Sequence, residues 1–161
     1  MTKTNALRLL DAAGIAYRTI EFEYDETGLS HTGVPEAIGM DPDQVFKTLV
    51  TRGERLGPLV FCIPIEYTLD LRKAAQAAGD KKVEMIHMKD LLGLTGYVRG
   101  GCSPVGMKKQ FPTFIDETAL LYDEIAVSSG KRGMMMVLSP EELIAYEAIT
   151  PVDLIEWEKR S

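Results

Sequence analysis

Residues 46–52 read Phe-Lys-Thr-Leu-Val-Thr-Arg, and residues 58–65 read Pro-Leu-Val-Phe-Cys-Ile-Pro-Ile. Both runs are rich in β-formers, and the polar segment between them contains Gly53 and Gly57. This pattern predicts a β-hairpin. On its first strand Lys47 shares a face with Val45 and Leu49. A lysine there either presents its ammonium group to a carbonyl, carboxylate or phosphate in a pocket, or extends past the strand end to reach water.

The rest of the chain predicts short helices and strands without a repeat or a linker. Helices are indicated where a capping residue precedes an apolar repeat and a glycine follows it, as between Thr4 and Gly14. The predicted helices cover residues 5–13, 34–38, 71–78 and 88–92, and a segment that starts after Ser139. The predicted strands outside the hairpin cover residues 17–22, 83–86, 97–99, 113–115, 125–128 and 134–138. Hairpins mix with crossovers, which favours one α+β domain over residues 1–161 with a mixed, curved sheet.

Composition narrows the classes of protein to consider. The chain has 161 residues, of which 45% are hydrophobic and 26% charged, as in an ordinary globular domain. No apolar run reaches the roughly 20 residues of a membrane helix, and the first residues lack the apolar stretch of a secretion signal. Two cysteines and two histidines favour neither a disulfide scaffold nor a metal site. We therefore expect a cytoplasmic protein without a metal, a cofactor or a membrane partner.

Charge bears on the kind of partner. The formal net charge of −6 argues against non-specific binding of nucleic acid. Its distribution is uneven, because residues 81–132 hold 8 Lys and Arg against 6 Asp and Glu. Ordinary fluctuation explains this excess as readily as a basic face that binds one specific polyanion.

Two glycine-rich basic segments lie in that middle region. Residues 100–109 read Gly-Gly-Cys-Ser-Pro-Val-Gly-Met-Lys-Lys, and residues 128–133 read Ser-Ser-Gly-Lys-Arg-Gly. Successive N–H groups in such a loop can bind an anion or a carbonyl oxygen. Each segment alone is explained as well by a tight turn, but two in one small domain favour a shared pocket. Cys102 has no histidine near it in sequence, so we interpret it as a small packing residue rather than a nucleophile.

Four motifs carry a family resemblance. They are Phe46-Lys-Thr-Leu49, Lys81-Lys-Val-Glu-Met85, a run from Thr95 to Gly106 containing Gly-Gly-Cys-Ser-Pro-Val-Gly, and Val127-Ser-Ser-Gly-Lys-Arg-Gly133. In this order they resemble the YbaK/EbsC family of bacterial Cys-tRNA(Pro) deacylases, which are similar to the editing domain of prolyl-tRNA synthetases. The resemblance extends over nearly the whole chain. It implies a barrel-like mixed sheet flanked by helices and an enzyme that hydrolyses aminoacyl-tRNA.

The resemblance also implies a set of site residues. Lys47 matches the lysine that the family needs for deacylation. The residues that match substrate-binding positions are Phe22, Thr48, Gly100, Gly101, Ser103, Pro104, Ser129, Gly130 and Lys131. Two of them depart from the family pattern: Phe22 stands where many members have tyrosine, and Ser129 replaces a glycine. Tyr24 likewise stands where many members have histidine, and His31 is interpreted as a surface residue.

The function expected from this resemblance is trans-editing of Cys-tRNA(Pro). In the family the thiol of the substrate can attack its own ester, so the protein has only to position and polarise it. The altered Phe22 leaves a second enzyme open, a deacylase for another small amino acid such as alanine. A non-catalytic module that binds aminoacyl-tRNA is the alternative from another class. The expected partners are the aminoacylated 3′ end of tRNA and prolyl-tRNA synthetase, and the oligomeric state stays open.

Overall fold

The structure is a computed structural model and describes residues 3–24 and 33–158. His31, interpreted above as a surface residue, lies outside the described residues. The described part contains five α-helices: α1 (Asn5–Ala13), α2 (Val34–Ile38), α3 (Leu71–Ala78), α4 (Met88–Thr95) and α5 (Pro140–Glu147). Side-chain caps begin α1, α3 and α5, since Thr4, Asp70 and Ser139 each accept a hydrogen bond from a backbone N–H of the first turn. The capping residues thus mark the helix starts that the sequence predicts.

The described residues form ten strands in three sheets. The strands are β1 (Tyr17–Glu21), β2 (Phe46–Gly53), β3 (Gly57–Pro64), β4 (Thr68–Leu69), β5 (Val83–Met85), β6 (Thr113–Asp116), β7 (Ile125–Lys131), β8 (Met134–Leu138), β9 (Thr150–Val152) and β10 (Ile155–Glu156). The largest sheet has the order β5-β2-β3-β6-β9. Its β2–β3 and β2–β5 pairs are antiparallel, while β3–β6 and β6–β9 are parallel. The predicted α+β class with a mixed sheet and the predicted hairpin are therefore confirmed.

A backbone bridge links the two larger sheets, whose side chains also pack in one core cluster. The smaller of them has the order β1-β8-β7, and a parallel bridge joins Val45, just before β2, to Ala126 in β7. Within the described ranges the strands do not close into a barrel, so the barrel-like part of the expectation is not confirmed.

One predicted strand is wrong. Residues 97–99 were expected to form a strand, but they enter a turn in which the Gly101 N–H donates to the Val98 carbonyl oxygen at 2.9 Å. The Tyr97 side chain turns inward and donates its hydroxyl to the Val105 carbonyl oxygen at 2.5 Å. This segment is therefore folded back on itself, and a strand ladder does not form there. The short strands β4, β9 and β10 were not anticipated.

The core explains the three consecutive methionines of β8. β8 is hydrogen-bonded to β1 on one edge and to β7 on the other, and its side chains enter a core cluster on each face of the sheet. Met134 and Met136 pack with Leu7 of α1 and Leu143 of α5, whereas Met135 points to the other face and packs near Ile20. A second cluster packs α3 on β3 and β6, where the rings of Phe61 and Phe114 stack with centroids 5.2 Å apart. These two clusters hold the two larger sheets in place around a cleft.

Candidate active site

A cleft of about 410 Å³ opens beside β2. The strand pairs with β3 along its whole length but with β5 only from Thr51 to Gly53. The cleft follows the rest of that edge, so successive residues of β2 line it although their side chains point to alternate faces. The other walls include residues of α3, β5, α4, the first glycine-rich segment and the middle of β7.

Lys47 and Thr48 both lie in this cleft. Each is half-buried. They are the second and third residues of β2 and pair across the sheet with Ile63 and Cys62 respectively. The Thr48 Oγ1 lies 3.7 Å from the Cys62 Sγ, which places the hydroxyl against the core side of the cleft. The pocket-facing interpretation of Lys47 thus agrees with its position, since the lysine lines a cavity rather than a strand end in open solvent.

The first glycine-rich segment contributes backbone to the cleft. Gly100, with a φ of +83°, and Cys102 line it opposite β2. The Gly101 N–H is already committed to the turn with Val98, and Gly100 and Cys102 are the residues of this segment that line the cleft. Ser103 is fully buried and accepts a hydrogen bond from the Val105 N–H through its Oγ at 3.2 Å.

Pro104 is separated from this group. It lines a smaller cleft of about 150 Å³ together with Gly106 and Met107. Of the four residues predicted from the Gly-x-x-x-Pro segment, the structure thus brings Gly100 into the cleft with Lys47. Gly101 and Ser103 shape the loop behind it.

The second glycine-rich segment touches the first one. A Cβ on Gly101 would lie 3.0 Å from the Arg132 backbone nitrogen and 3.1 Å from the Lys131 carbonyl carbon, so the two loops are in backbone contact. Gly130 and Lys131 nevertheless line a separate depression of about 520 Å³ beside the cleft. The two segments do share the cleft, which the first reaches through Gly100 and Cys102 and the second through Ser128, while residues 130–133 of the second segment line the depression.

Ser129 is a structural residue that does not line the cleft. Its side chain is fully buried and donates to the Met134 carbonyl oxygen at 2.9 Å, and its own carbonyl accepts from the Thr4 hydroxyl at 2.6 Å. These bonds tie the β7–β8 turn to the start of α1. Ser128, which the sequence analysis did not single out, lines the cleft instead.

Phe22 connects the cleft and the depression. Its half-buried ring lines both, and its N–H donates to the Gly133 carbonyl oxygen at 2.8 Å. Tyr24 lines the depression, where its ring lies so close to Gly133 that a Cβ there would come within 2.6 Å. The aromatic wall expected at Phe22 is therefore positioned between the two concave regions.

The two cysteines are poor nucleophiles in this fold. Burial raises the pKa of Cys62 to about 12, and burial likewise raises the pKa of Cys102 to about 12. Both side chains are therefore neutral thiols near pH 7. Cys102 packs with Val50, Leu91 and Tyr97, as expected of a small packing residue.

The comparisons with known proteins decide the family. The model of the aminoacyl-tRNA editing domain matches residues 30–146. The chain belongs to the aminoacyl-tRNA editing domain family. This confirms the family that the four sequence motifs indicated, and with it aminoacyl-tRNA editing as the class of activity.

Relatives of this editing domain agree with the assignment. The chain is 51% identical over 143 residues to the Enterococcus faecalis protein named "Putative Cys-tRNA(Pro)/Cys-tRNA(Cys) deacylase EbsC", covering 89% of this chain and 87% of that one. It is 24% identical over 124 residues to the uncharacterized protein YwhH of Bacillus subtilis, covering 77% and 78%. A crystal structure described as a "putative trans-editing enzyme for prolyl tRNA synthetase" superposes with a TM-score of 0.82 at 27% identity, covering 97% of this chain and 99% of that one.

Several lining residues of the editing domain escaped the sequence analysis. They come from elements far apart in the chain and are Leu71, Met85, Met88, Leu91 and Arg99. Met85 closes one of the four motifs and Arg99 lies inside another, which is the available signal for those two. Leu71 and Met88 carry no local signal, because they reach the cleft through the packing of α3 and α4 beside β2.

The described residues contain neither a candidate metal site nor a candidate membrane-spanning helix. Across residues 3–24 and 33–158, no group of three or more His, Cys, Asp or Glu side chains is arranged to hold a metal ion. In the same ranges no helix has the length and apolarity needed to span a bilayer.

Proposed function

We propose that this editing domain is a trans-editing deacylase that hydrolyses the ester of Cys-tRNA(Pro). The observation that carries the proposal is the meeting of Lys47 with the Gly100 backbone in one cleft. The two groups come from sequence segments more than 50 residues apart. The name of the 51% identical relative supports Cys-tRNA as the substrate class.

In this mechanism the protein polarises the ester and holds it in place. The ester carbonyl lies between β2 and the first glycine-rich segment. The N–H groups of Gly100 and Cys102 donate to the oxygen as negative charge develops on it, and the Lys47 ammonium adds positive charge or orients the substrate. Such donors act strongly in a site that is partly removed from water.

The nucleophile is the thiol of the substrate. Its sulfur attacks the cysteinyl carbonyl carbon, the bond from that carbon to the ribose oxygen breaks, and the thiol proton passes to the leaving oxygen. The products are free tRNA and a cyclic thioester of cysteine, which water opens. Cys62 and Cys102 take no part, because their pKa values of about 12 keep them protonated.

The tRNA itself is held weakly in this proposal. The protein carries a net charge of −6, and the exposed Lys131 in the depression supplies local positive charge beside the cleft. Because phosphate contacts dominate affinity for nucleic acid, selection of tRNA(Pro) then depends on a complex with prolyl-tRNA synthetase. Such a role places the protein in the cytoplasm.

A second substrate is favoured by one observation. Phe22 lines the cleft without a hydroxyl group, and a site that lacks a hydrogen-bonding group can change its selectivity between small side chains. Alanine esterified to tRNA(Pro) is therefore the alternative substrate. A module that binds aminoacyl-tRNA without hydrolysing it is the alternative from another class.

The test is deacylation of Cys-tRNA(Pro) and Ala-tRNA(Pro) by the wild type, Lys47→Ala and the control Lys82→Ala. Lys82 is exposed and paired with Glu84. We expect the wild type and the control to release cysteine, and Lys47→Ala to be slower by about a hundredfold or more. Release of alanine alone would select the second substrate. Binding without release would leave the non-catalytic module, and full activity of Lys47→Ala would refute the role of the lysine.

A further inference from the structure

Exposed apolar side chains surround the mouth of the cleft. Leu71, Met85 and Met88 are 40%, 44% and 46% exposed, and all three line the cleft. They come from three different elements, α3, β5 and α4. Large apolar side chains gathered at an opening are a feature of ligand-binding grooves.

The floor of the cleft differs from its mouth. One turn along α4 from Met88, Leu91 is only 5% exposed and packs with Val50 and Cys102. Cys102 is 8% exposed and Lys47 is half-buried, so we place the reacting ester at this inner level. Met88 and Leu91 are three residues apart on one helix and therefore lie on the same face. Met88 thus lies one helical turn outward from the floor.

The size of the cleft exceeds the needs of the amino acid. A volume of about 410 Å³ falls within the range of roughly 300–1,000 Å³ for pockets that hold drug-sized ligands. A cysteinyl or alanyl group is much smaller than such a ligand. Because the amino acid enters first and the tRNA body stays outside, the group between them, the terminal nucleoside, has to occupy the mouth.

We propose that Met85 and Met88, with Leu71, form a platform for the adenine base of the terminal nucleotide of the tRNA. This inference rests on the proposed deacylation site and names the part of the substrate that the mouth holds. A methionine sulfur makes favourable contacts with an aromatic ring and adapts to its position. Arg99, exposed on another wall of the same cleft, supplies a positive charge for the phosphate of that nucleotide.

The polarity of the walls supports a nucleotide over a larger amino acid. The apolar side chains face a base, the cationic side chain faces a phosphate, and Cys102 and Lys47 are more buried, at the level of the ester. An apolar amino acid side chain would use the methionines but would leave Arg99 without a role. A nucleotide whose base contacts the platform accounts for both the methionines and Arg99.

The test compares Met88→Ala with a control on the same helix. Leu92 lies one turn from Met88, is 54% exposed and is absent from the lining of the cleft, so Leu92→Ala removes a comparable exposed side chain elsewhere. Alanine at the first position of α4 favours the helix, so both variants keep their fold, which thermal unfolding verifies. Met88→Leu restores apolar area without the sulfur.

Two ligands separate the base from the amino acid. The first is adenosine carrying cysteine or alanine through a 3′ amide, which binds without being hydrolysed. The second is the methyl ester of the same amino acid, which has no nucleoside. We expect Met88→Ala to raise the dissociation constant of the amide by about threefold to tenfold and to leave methyl ester hydrolysis unchanged. Leu92→Ala should change neither.

Each other result overturns the inference. Equal binding of the amide by the wild type and Met88→Ala would show that the base does not contact the platform. An equal loss on the methyl ester would assign the platform to the amino acid. If the wild type hydrolyses no ester, the proposed function fails, yet the amide titration still decides whether a nucleoside is bound at the mouth.

Discussion

Arg132 donates a hydrogen bond from its Nε to the carbonyl oxygen of Arg99 at 2.8 Å. This contact joins the β7–β8 turn to the residue just before Gly100. The Gly101 backbone packs against the same turn, so the loop that faces Lys47 is fixed from behind by two kinds of contact. The position of the Gly100 amide in the cleft therefore depends on a turn that is distant in sequence.

Gly101→Ala should destabilise the protein and impair deacylation together. The new Cβ would lie 3.0 Å from the Arg132 backbone nitrogen, and backbone cannot move aside as a flexible side chain can. We expect a loss of about 1–3 kcal/mol in the free energy of unfolding, measured by urea titration. Deacylation should fall as well, because Gly100 shifts with its neighbour.

Gly93→Ala is the matched control for that variant. Gly93 lies within α4, and a Cβ there would meet nothing within 4 Å. Alanine inside a helix is more favourable than glycine by up to about 1 kcal/mol, so this variant should be as stable as the wild type or more stable. If both glycine variants behaved alike, the loop contact would not be important.

The sequence predicts a helix or strand correctly where neighbouring residues alone determine it. The bounds of α2 and β8 agree with their predictions, because a terminal glycine or a continuous run of apolar residues fixes each locally. Residues 97–99 were mispredicted because one turn bond, from Gly101 to Val98, overrides a β-forming sequence.

The candidate site divides in the same way. Lys47 and Gly100 were identified because motifs contain them, and both line the cleft. The mouth was missed, since Leu71 and Met88 reach it only through the packing of α3 and α4. The separation of Pro104 and Lys131 from the cleft also depends on tertiary structure, which spacing along the chain does not encode.

Lys131→Ala should weaken the interaction with tRNA and reduce its dependence on salt. Lys131 is exposed in the depression beside the cleft. Loss of one phosphate contact to a single strand reduces the slope of log affinity against log salt by about 0.7. We expect this change in kcat/KM for aminoacyl-tRNA and no change for a methyl ester. Lys109→Ala, in the other basic segment, is the control; an equal effect there would assign the salt dependence to general charge.

The buried thiols should make the protein less stable in alkali. Burial raises the pKa of Cys62 and Cys102 to about 12, above the ordinary value of 9.0. Below pH 9 both states hold the thiol proton and the stability is fully present. As pH rises from 9 towards 12 the unfolded chain releases the proton and the folded chain does not, so the free energy of unfolding falls.

The expected slope is up to about 1.4 kcal/mol per pH unit for each thiol. Urea titrations of the wild type and Cys62→Ala at pH 7.5 and pH 10 measure it. The variant should be less stable at pH 7.5 because of the cavity, but should lose less stability between the two pH values. Parallel losses in the two proteins would show that the Cys62 thiol titrates normally in the fold.

Phe22→Tyr should change the choice between cysteine and alanine. The ring lines the cleft with Lys47 and Thr48, so a hydroxyl on it would enter the region that holds the aminoacyl ester. A hydrogen-bonding group in a site discriminates between substrates that can and cannot pair with it more strongly than apolar contact does. We expect the ratio of kcat/KM for Cys-tRNA(Pro) over Ala-tRNA(Pro) to rise by about tenfold or more. Initial rates with both substrates measure that ratio, and a ratio equal to that of the wild type would place the amino acid side chain away from Phe22.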